Sequence, residues 1–373
     1  MEFKRLIEPY IAEDLKKKMV LLAGPRQSGK TSLSKRLLTD SKRYLNWDFG
    51  EDRELIFKER WPAGPGLIVL DEIHKYEGWR NAVKGLFDKR RDEVQILVTG
   101  SARLDYYSHG GDSLQGRYFL HHLFPLTVAE LDIKTRADFD TLLTLSGFPE
   151  PFFSGSKTER DRWARSYREL LVGEDLRDLE RVTSINKIEQ LSIRLPELVA
   201  SPLSLNSLRE DLGVSHSAIT DWCNILERLY YIFRLRPLGG PTIKTINKQS
   251  KHYQYDWSLV SEPGPRLENL VALHLLKWVT FQRDTTGKEI ELCYYRDVEK
   301  REVDFVIVEN KRPIRAIECK VSAKGADASI CYFKSQHPEV ECLQVELECT
   351  RPVETSQGIK IVPMIEFLRE LGV

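Results

Sequence analysis

The chain has no Cys-x-x-Cys pair, no apolar run that approaches a membrane span and no excess of charge of either sign. Each absence removes a class of protein. The six cysteines (Cys223, Cys293, Cys319, Cys331, Cys342 and Cys349) lack the close pairing of a zinc ribbon or a redox dithiol, so free thiols in a reducing compartment are expected. Met1 to Lys18 is broken by charges throughout and reads neither as a secretory leader nor as a span; a cytoplasmic protein without a membrane partner is expected. Lys+Arg and Asp+Glu both number 56, for a net charge of +0. No global field therefore draws the molecule to a polyanion, and any such site must be a local patch. At 373 residues the chain exceeds one ordinary core, and two or three domains are expected.

What is present is a phosphate cradle. Gly24-Pro25-Arg26-Gln27-Ser28-Gly29-Lys30-Thr31, with Ser32 after it, reads G-x-x-x-x-G-K-T. The apolar run Met19 to Ala23 before it predicts a buried strand, and Thr31 to Leu38 predicts a helix, which is the context the motif requires. In such a loop backbone N–H groups and the helix dipole face phosphate oxygens. Lys30 is expected to reach the β- and γ-phosphates, and Thr31 to ligate Mg²⁺. Leu6 to Leu15 has helical spacing and predicts a short helix packed beneath this site.

After the breaker Trp61-Pro62-Ala63-Gly64-Pro65-Gly66, the run Leu67-Ile68-Val69-Leu70 ends in Asp71 and Glu72. A buried parallel strand needs such a run, and its carboxyl end opens onto the ligand crevice of a doubly wound sheet. Asp71 is the expected magnesium ligand and Glu72 the expected general base for an attacking water. Gln95 to Ser101 predicts another strand, whose polar end offers Thr99 and Ser101 as γ-phosphate sensors. Leu114-Gln115-Gly116-Arg117 then precedes a strand from Tyr118 to Phe124.

This order of phosphate loop, Asp-Glu strand, polar-ended strand and Gly-Arg before a last strand resembles the AAA+ ATPases. It is most similar to archaeal and bacterial ATPases with a C-terminal domain of unknown function, on the strength of Gly24 to Thr31 and Leu70 to Ile73. The resemblance implies ATP and Mg²⁺ as ligands and a homo-oligomer, a hexameric ring among its forms, with Arg117 reaching the neighbouring subunit's nucleotide. Thr99 and Ser101 depart from the asparagine that many of these proteins carry at the sensor.

Thr127 to about Val199 predicts a helical lid, with Arg162 and Arg165 on a solvated face. Ser204 to Arg236 predicts a winged helix-turn-helix: Leu208, Leu212, Val214, Ile219, Trp222 and Leu226 form its buried stripe, and Ser215 caps the second helix. That helix opens with His216, Ser217, Thr220 and Asp221, without the basic or amide groups usual in a DNA reader. Lys244, Lys248 and Lys251 are candidates for a phosphate patch from the wing.

A helix from Pro265 to Val279 carries Glu268, and three strands follow at Ile290–Arg296, Glu302–Glu309 and Pro313–Val321. With a three-residue loop at Asn310-Lys311-Arg312, Glu309 pairs with Pro313 and Asp304 falls opposite Glu318 on one face, two residues from Lys320. Two carboxylates so placed repel unless a cation joins them. The arrangement resembles the PD-(D/E)xK nuclease core. The resemblance implies Mg²⁺ or Mn²⁺ held by Glu268, Asp304 and Glu318, with Lys320 assisting the attacking water.

The expected fold is α/β: a P-loop AAA+ ATPase core (1–126), a helical lid (127–200), a winged helix (201–250) and a restriction-endonuclease-like domain (251–373). The expected function is a Mg²⁺-dependent ATPase coupled to a PD-(D/E)xK-type nuclease acting on nucleic acid, DNA being favoured. The alternative is an ATP-driven switch or binding module whose nuclease-like domain does not cleave.

Overall fold

The computed structural model describes residues 3–100, 104, 114–175, 184–239 and 250–373. The chain divides into two compact units, Met1–Pro125 and Leu126–Val373.

The first unit is built on a parallel sheet. Strands β1 (Met19–Ala23), β2 (Tyr44–Asn46), β3 (Gly66–Asp71), β4 (Val94–Thr99) and β5 (Tyr118–His122) take the order β2-β3-β4-β1-β5. β1 is unbroken apolar sequence because both of its faces are covered. Met19, Leu21 and Ala23 join Ile68, Leu70, Ile96 and Val98 in one core, which also takes Trp79, Val83 and Leu86 from the helix Trp79–Arg90. Val20 and Leu22, of opposite parity, join Val69 and Leu97 in the other core. Ile7, Ile11 and Leu15, in and beside the short helix Glu8–Asp14, pack there with Leu33 of the helix Lys30–Leu37.

The second unit begins with helices, among them Arg136–Leu145, Pro149–Ser154, Lys157–Leu170 and Ile185–Arg194. Phe148 is fully buried and packs on Trp163 and Tyr167, with ring centroids 4.9 and 5.1 Å away. Arg162 and Arg165 lie on the exposed face, beside Glu159 and Glu169. The helices Leu205–Leu212 and His216–Arg228 are each capped by a serine: Ser204 Oγ accepts from Ser207 N and Ser215 Oγ from Ala218 N, both at 3.2 Å. Leu208, Ile219, Trp222 and Leu226 are buried behind them.

Strands β6 (Ile232–Pro237) and β7 (Lys251–Gln254) form an antiparallel pair after these helices. β6 also pairs in parallel with β8 (Ile290–Arg296), so the hairpin becomes the end of an eight-stranded sheet. That sheet continues with β9 (Glu302–Glu309), β10 (Arg312–Lys320), β11 (Glu341–Glu346), β12 (Val353–Glu354) and β13 (Ile359–Pro363) in the order β12-β13-β11-β10-β9-β8-β6-β7. Pairing therefore runs across the expected border at residues 250 and 251. The helix Pro263–Thr286 is apolar on most sides, from Leu267 through Val279, and is correspondingly buried.

The β9–β10 turn corrects the expected one. Its loop is Asn310-Lys311, with φ of +51° and +64°, and Glu309 pairs with Arg312. Two left-handed residues are what a two-residue hairpin turn of this hand demands, and asparagine tolerates that region. A bulge between Pro313 and Arg315 adds the missing residue, and Ile317 pairs with Phe305. Asp304 and Glu318 thus come opposite each other by a different route. No helix among the described residues is long and apolar enough to cross a membrane.

Candidate functional site

In the first unit, the cradle lies between β1 and the helix Lys30–Leu37. Gly24 has φ +137°, and a Cβ there would fall 2.4 Å from Leu123 O, so only glycine fits against the end of β5. Gly29, at φ +99°, is the N-cap that turns the loop into the helix. Lys30 Nζ donates to Gly24 O at 2.9 Å and Pro25 O at 2.7 Å. Ser28 is fully buried, whereas Gln27, Thr31 and Ser32 are exposed and Arg26 is half-buried. Arg5, outside every motif, holds the loop from below by donating to Ser28 O at 2.8 Å and also to Phe124 O.

Asp71 ends β3 and gathers three hydroxyls. Thr31 Oγ1 donates to its Oδ2 at 2.8 Å, Tyr44 Oη to the same oxygen at 2.6 Å, and Thr99 Oγ1 to Oδ1. The pairing of Asp71 with Thr99 across β3 and β4 puts Thr99 there. Burial, and then the bond to Asp71, raise the Tyr44 phenol above its ordinary value. Thr31 and Asp71 present hard oxygen atoms at the helix start and strand end, a donor set that fits Mg²⁺.

Glu72 follows in the left-handed region at φ +55°, ψ +18°, a conformation costly for a side chain other than glycine or asparagine and common at functional sites. Its Oε2 is buried with no hydrogen-bond partner among the described residues. His74 Nε2 and Lys75 Nζ stand 3.6 and 3.7 Å away. Burial pushes the Glu72 carboxyl up, against the pull of Lys30 and Lys75. Arg117 donates to its own chain's Asp88, with Nε 2.7 Å from Oδ1 and Nη2 3.0 Å from Oδ2. Ser101 lies outside the described residues, as do Lys244 and Lys248.

In the second unit, β9 and β10 bring the expected acids together. Asp304 N donates to Glu318 Oε2 at 3.3 Å, and Cys319 N donates to Asp304 Oδ2 at 3.0 Å. Lys320 Nζ lies 2.7 Å from Glu318 Oε1 and 3.1 Å from Asp327 Oδ2. Glu268, from the long helix, accepts from Tyr253 Oη at 2.7 Å. Burial first, and then the charge of Asp304, raise the carboxyls of Glu268 and Glu318 to about 8. Burial raises Asp304 as well, with Lys251 opposing it.

Lys251 is the correction here. Expected on the wing surface, its side chain is only 1% exposed, because β7 is drawn into the sheet. Its Nζ lies 2.6 Å from Glu302 Oε1, 3.2 Å from Glu268 Oε1 and 3.4 Å from Asp304 Oδ1. Burial alone would depress this ammonium's pKa, but Glu268, Asp304 and Glu302 outweigh it and raise the pKa. Among the described residues, no three carboxylate, histidine or cysteine side chains form a group able to hold a metal ion. The acids are of the right chemical type for Mg²⁺ or Mn²⁺, but as arranged they do not fit one. Lys251 and Tyr253 were missed at this site because only the pairing of β7 with β6 brings them there.

A family model described as an AAA domain matches residues 16–132. Two models described as domains of unknown function match residues 136–262 and 263–367. Uncharacterized proteins of Mycobacterium bovis and Mycobacterium tuberculosis are each 30% identical over 323 residues, covering 79% of this chain and 71% of theirs. Among solved structures, a Walker-type ATPase of Pyrococcus abyssi aligns with TM-score 0.40 and 13% identity over 70% of this chain and 95% of that one. The ORC1 protein of Aeropyrum pernix, in complex with DNA, aligns with TM-score 0.33 and 15% identity over 71% and 90%.

Proposed function

For a chain that belongs to the family of these two mycobacterial proteins and carries an AAA domain, we propose a Mg²⁺-dependent ATPase that drives a C-terminal nucleic-acid-binding module which does not cleave its ligand. The observation that carries the ATPase half is the convergence of Thr31, Tyr44 and Thr99 on Asp71 beside the Gly24–Thr31 cradle. Thr31 and Asp71 would hold Mg²⁺, which would offset charge on the β- and γ-phosphates. Backbone N–H groups of the loop orient those phosphates, and Lys30 exchanges its loop carbonyls for phosphate oxygens. Glu72, its carboxylate oxygen buried without a donor, accepts the proton of the attacking water. Arg117, released from Asp88, acts on the nucleotide of a neighbouring copy in a homo-oligomer.

Lys251 supports the non-cleaving reading of the C-terminal module. Its ammonium already compensates Glu268, Glu302 and Asp304. A second reading, a metal-dependent PD-(D/E)xK-type nuclease acting on DNA, is favoured by one observation: Asp304, Glu318 and Lys320 stand together at the end of β10.

The test incubates the purified protein with labelled DNA and RNA of several shapes, with Mg²⁺ or Mn²⁺, with and without ATP. The proposal expects ATP-dependent binding with every phosphodiester bond intact. Cutting that disappears in Asp304→Ala and Glu318→Ala would establish the second reading. For the ATPase, Lys30→Ala should weaken nucleotide binding, while Glu72→Gln should bind ATP and fail to turn it over. Normal turnover by Glu72→Gln would remove Glu72 as the base.

A further inference from the structure

We propose that Lys251 is the resident cation of the C-terminal carboxylate cluster, so that the cluster resists divalent metal while this lysine is in place. The inference deepens the non-cleaving reading above and rests on it.

A lysine side chain exposed by 1% has lost nearly all of its hydration, a loss that only well-placed partners offset. Lys251 has three such partners. The carboxylates of Glu302, Glu268 and Asp304 lie 2.6, 3.2 and 3.4 Å from its Nζ, on the long helix and on β9. They would meet one another at close range without it. The rest of the row is closed in the same manner. Asp304 Oδ2 accepts from Cys319 N, Glu318 Oε2 accepts from Asp304 N, and Glu318 Oε1 faces Lys320. Glu268 Oε1 also accepts from the Tyr253 phenol, which comes from the same strand as Lys251. Each of these acids is thus engaged by a donor of the protein. A divalent ion would have to approach a fixed positive charge a few ångströms away, an electrostatic penalty that the partial burial of the site strengthens.

The experiment uses the full chain, free of nucleotide, with Mn²⁺ alone as the probe, followed by calorimetry and by thermal unfolding. Wild type, Lys251→Met, Lys251→Gln, Lys251→Arg and the double variant Lys251→Met with Asp304→Ala are compared. Both neutral variants are expected to bind Mn²⁺ at least tenfold more tightly than wild type and to melt at a higher temperature with Mn²⁺ than without. Lys251→Arg, which keeps the charge, should match wild type, and the double variant should lose the gain. Equal affinity in wild type and the neutral variants would overturn the proposal, as would a gain that survives Asp304→Ala. Should neither neutral variant fold, the wild type decides alone. Tight Mn²⁺ binding abolished by Asp304→Ala overturns the proposal, and its absence supports it. Failure of the non-cleaving reading is seen separately, as Asp304-dependent loss of DNA on a gel. That loss would show metal working at the cluster with Lys251 in place and would overturn both readings, whereas intact DNA with equal Mn²⁺ affinity in wild type and the neutral variants would overturn the lysine's role alone.

Discussion

Arg117 and Asp88 form a two-pronged ion pair within one chain, Nε to Oδ1 at 2.7 Å and Nη2 to Oδ2 at 3.0 Å, on side chains 32% and 44% exposed. A pair so open to water is easily exchanged for another anion. The two roles of Arg117, internal partner and donor to a neighbour's nucleotide, are separable by substitution. Asp88→Ala is expected to leave ATP turnover equal to or above wild type. Arg117→Ala is expected to reduce turnover at least tenfold, and mixing it with Glu72→Gln should restore part of the activity if the arginine acts across subunits. Steady-state ATPase assays over a range of protein concentration check both. Full activity of wild type as a dilute monomer would exclude action across subunits.

Gly24→Ala tests the cradle without touching a charged group. The added methyl carbon would lie 2.4 Å from Leu123 O, and the backbone at φ +137° is hostile to any side chain. The expected cost is about 3 kcal/mol of stability in the first unit, with loss of nucleotide binding. Denaturant unfolding and nucleotide titration measure the two effects.

Thr99→Val keeps the shape of a buried side chain and removes its hydroxyl. Asp71 Oδ1 then loses a donor in a site where the residue is only 1% exposed. The expected loss is about 1–3 kcal/mol. If Thr99 also serves the nucleotide, turnover should fall further than ATP affinity does; equal losses in both would make it a structural partner of Asp71 alone.

The carboxyls of Glu268 and Glu318, raised to about 8 by burial and by Asp304, predict a pH dependence. A carboxyl whose pKa is higher in the folded chain than in the unfolded one favours folding while protonated. That contribution is full below about pH 4.5 and is lost as pH rises toward 8. Glu318→Gln, which mimics the protonated form, should flatten the decline. His252 and His274, lowered to about 4 by burial, act in the opposite direction and lower stability as pH falls from 6.5 toward 4. Thermal unfolding between pH 4 and 9 reads both windows. An undiminished slope in Glu318→Gln would remove that carboxyl as a cause.

The first unit was legible because its signals are local. The cradle, the run Leu67 to Asp71 and the unbroken apolar run Met19 to Ala23 each carry their context within a few residues. Asp304 and Glu318 were also within reach, since a short hairpin between their strands fixes a register that sets them opposite each other. The turn between them was misjudged by one residue because Asn310 and Lys311 both adopt left-handed backbone, and the bulge beyond Pro313 hid the error. Lys251 was illegible for a deeper reason. Nothing near it in sequence says that β6 will pair with β8, and without that pairing a lysine at a strand start reads as solvated. Tyr44 and Arg5 share this character: each reaches its partner only after the chain has folded back on itself.

The carboxylate cluster draws on both sides of residue 263. Lys251 and Tyr253 come from before it, while Glu268, Asp304 and Glu318 come from after it. A graft that carried only the later piece into another protein would take the acids and leave behind their ammonium and phenol. The two pieces must therefore be inherited as a pair, or the recipient must furnish a positive charge of its own.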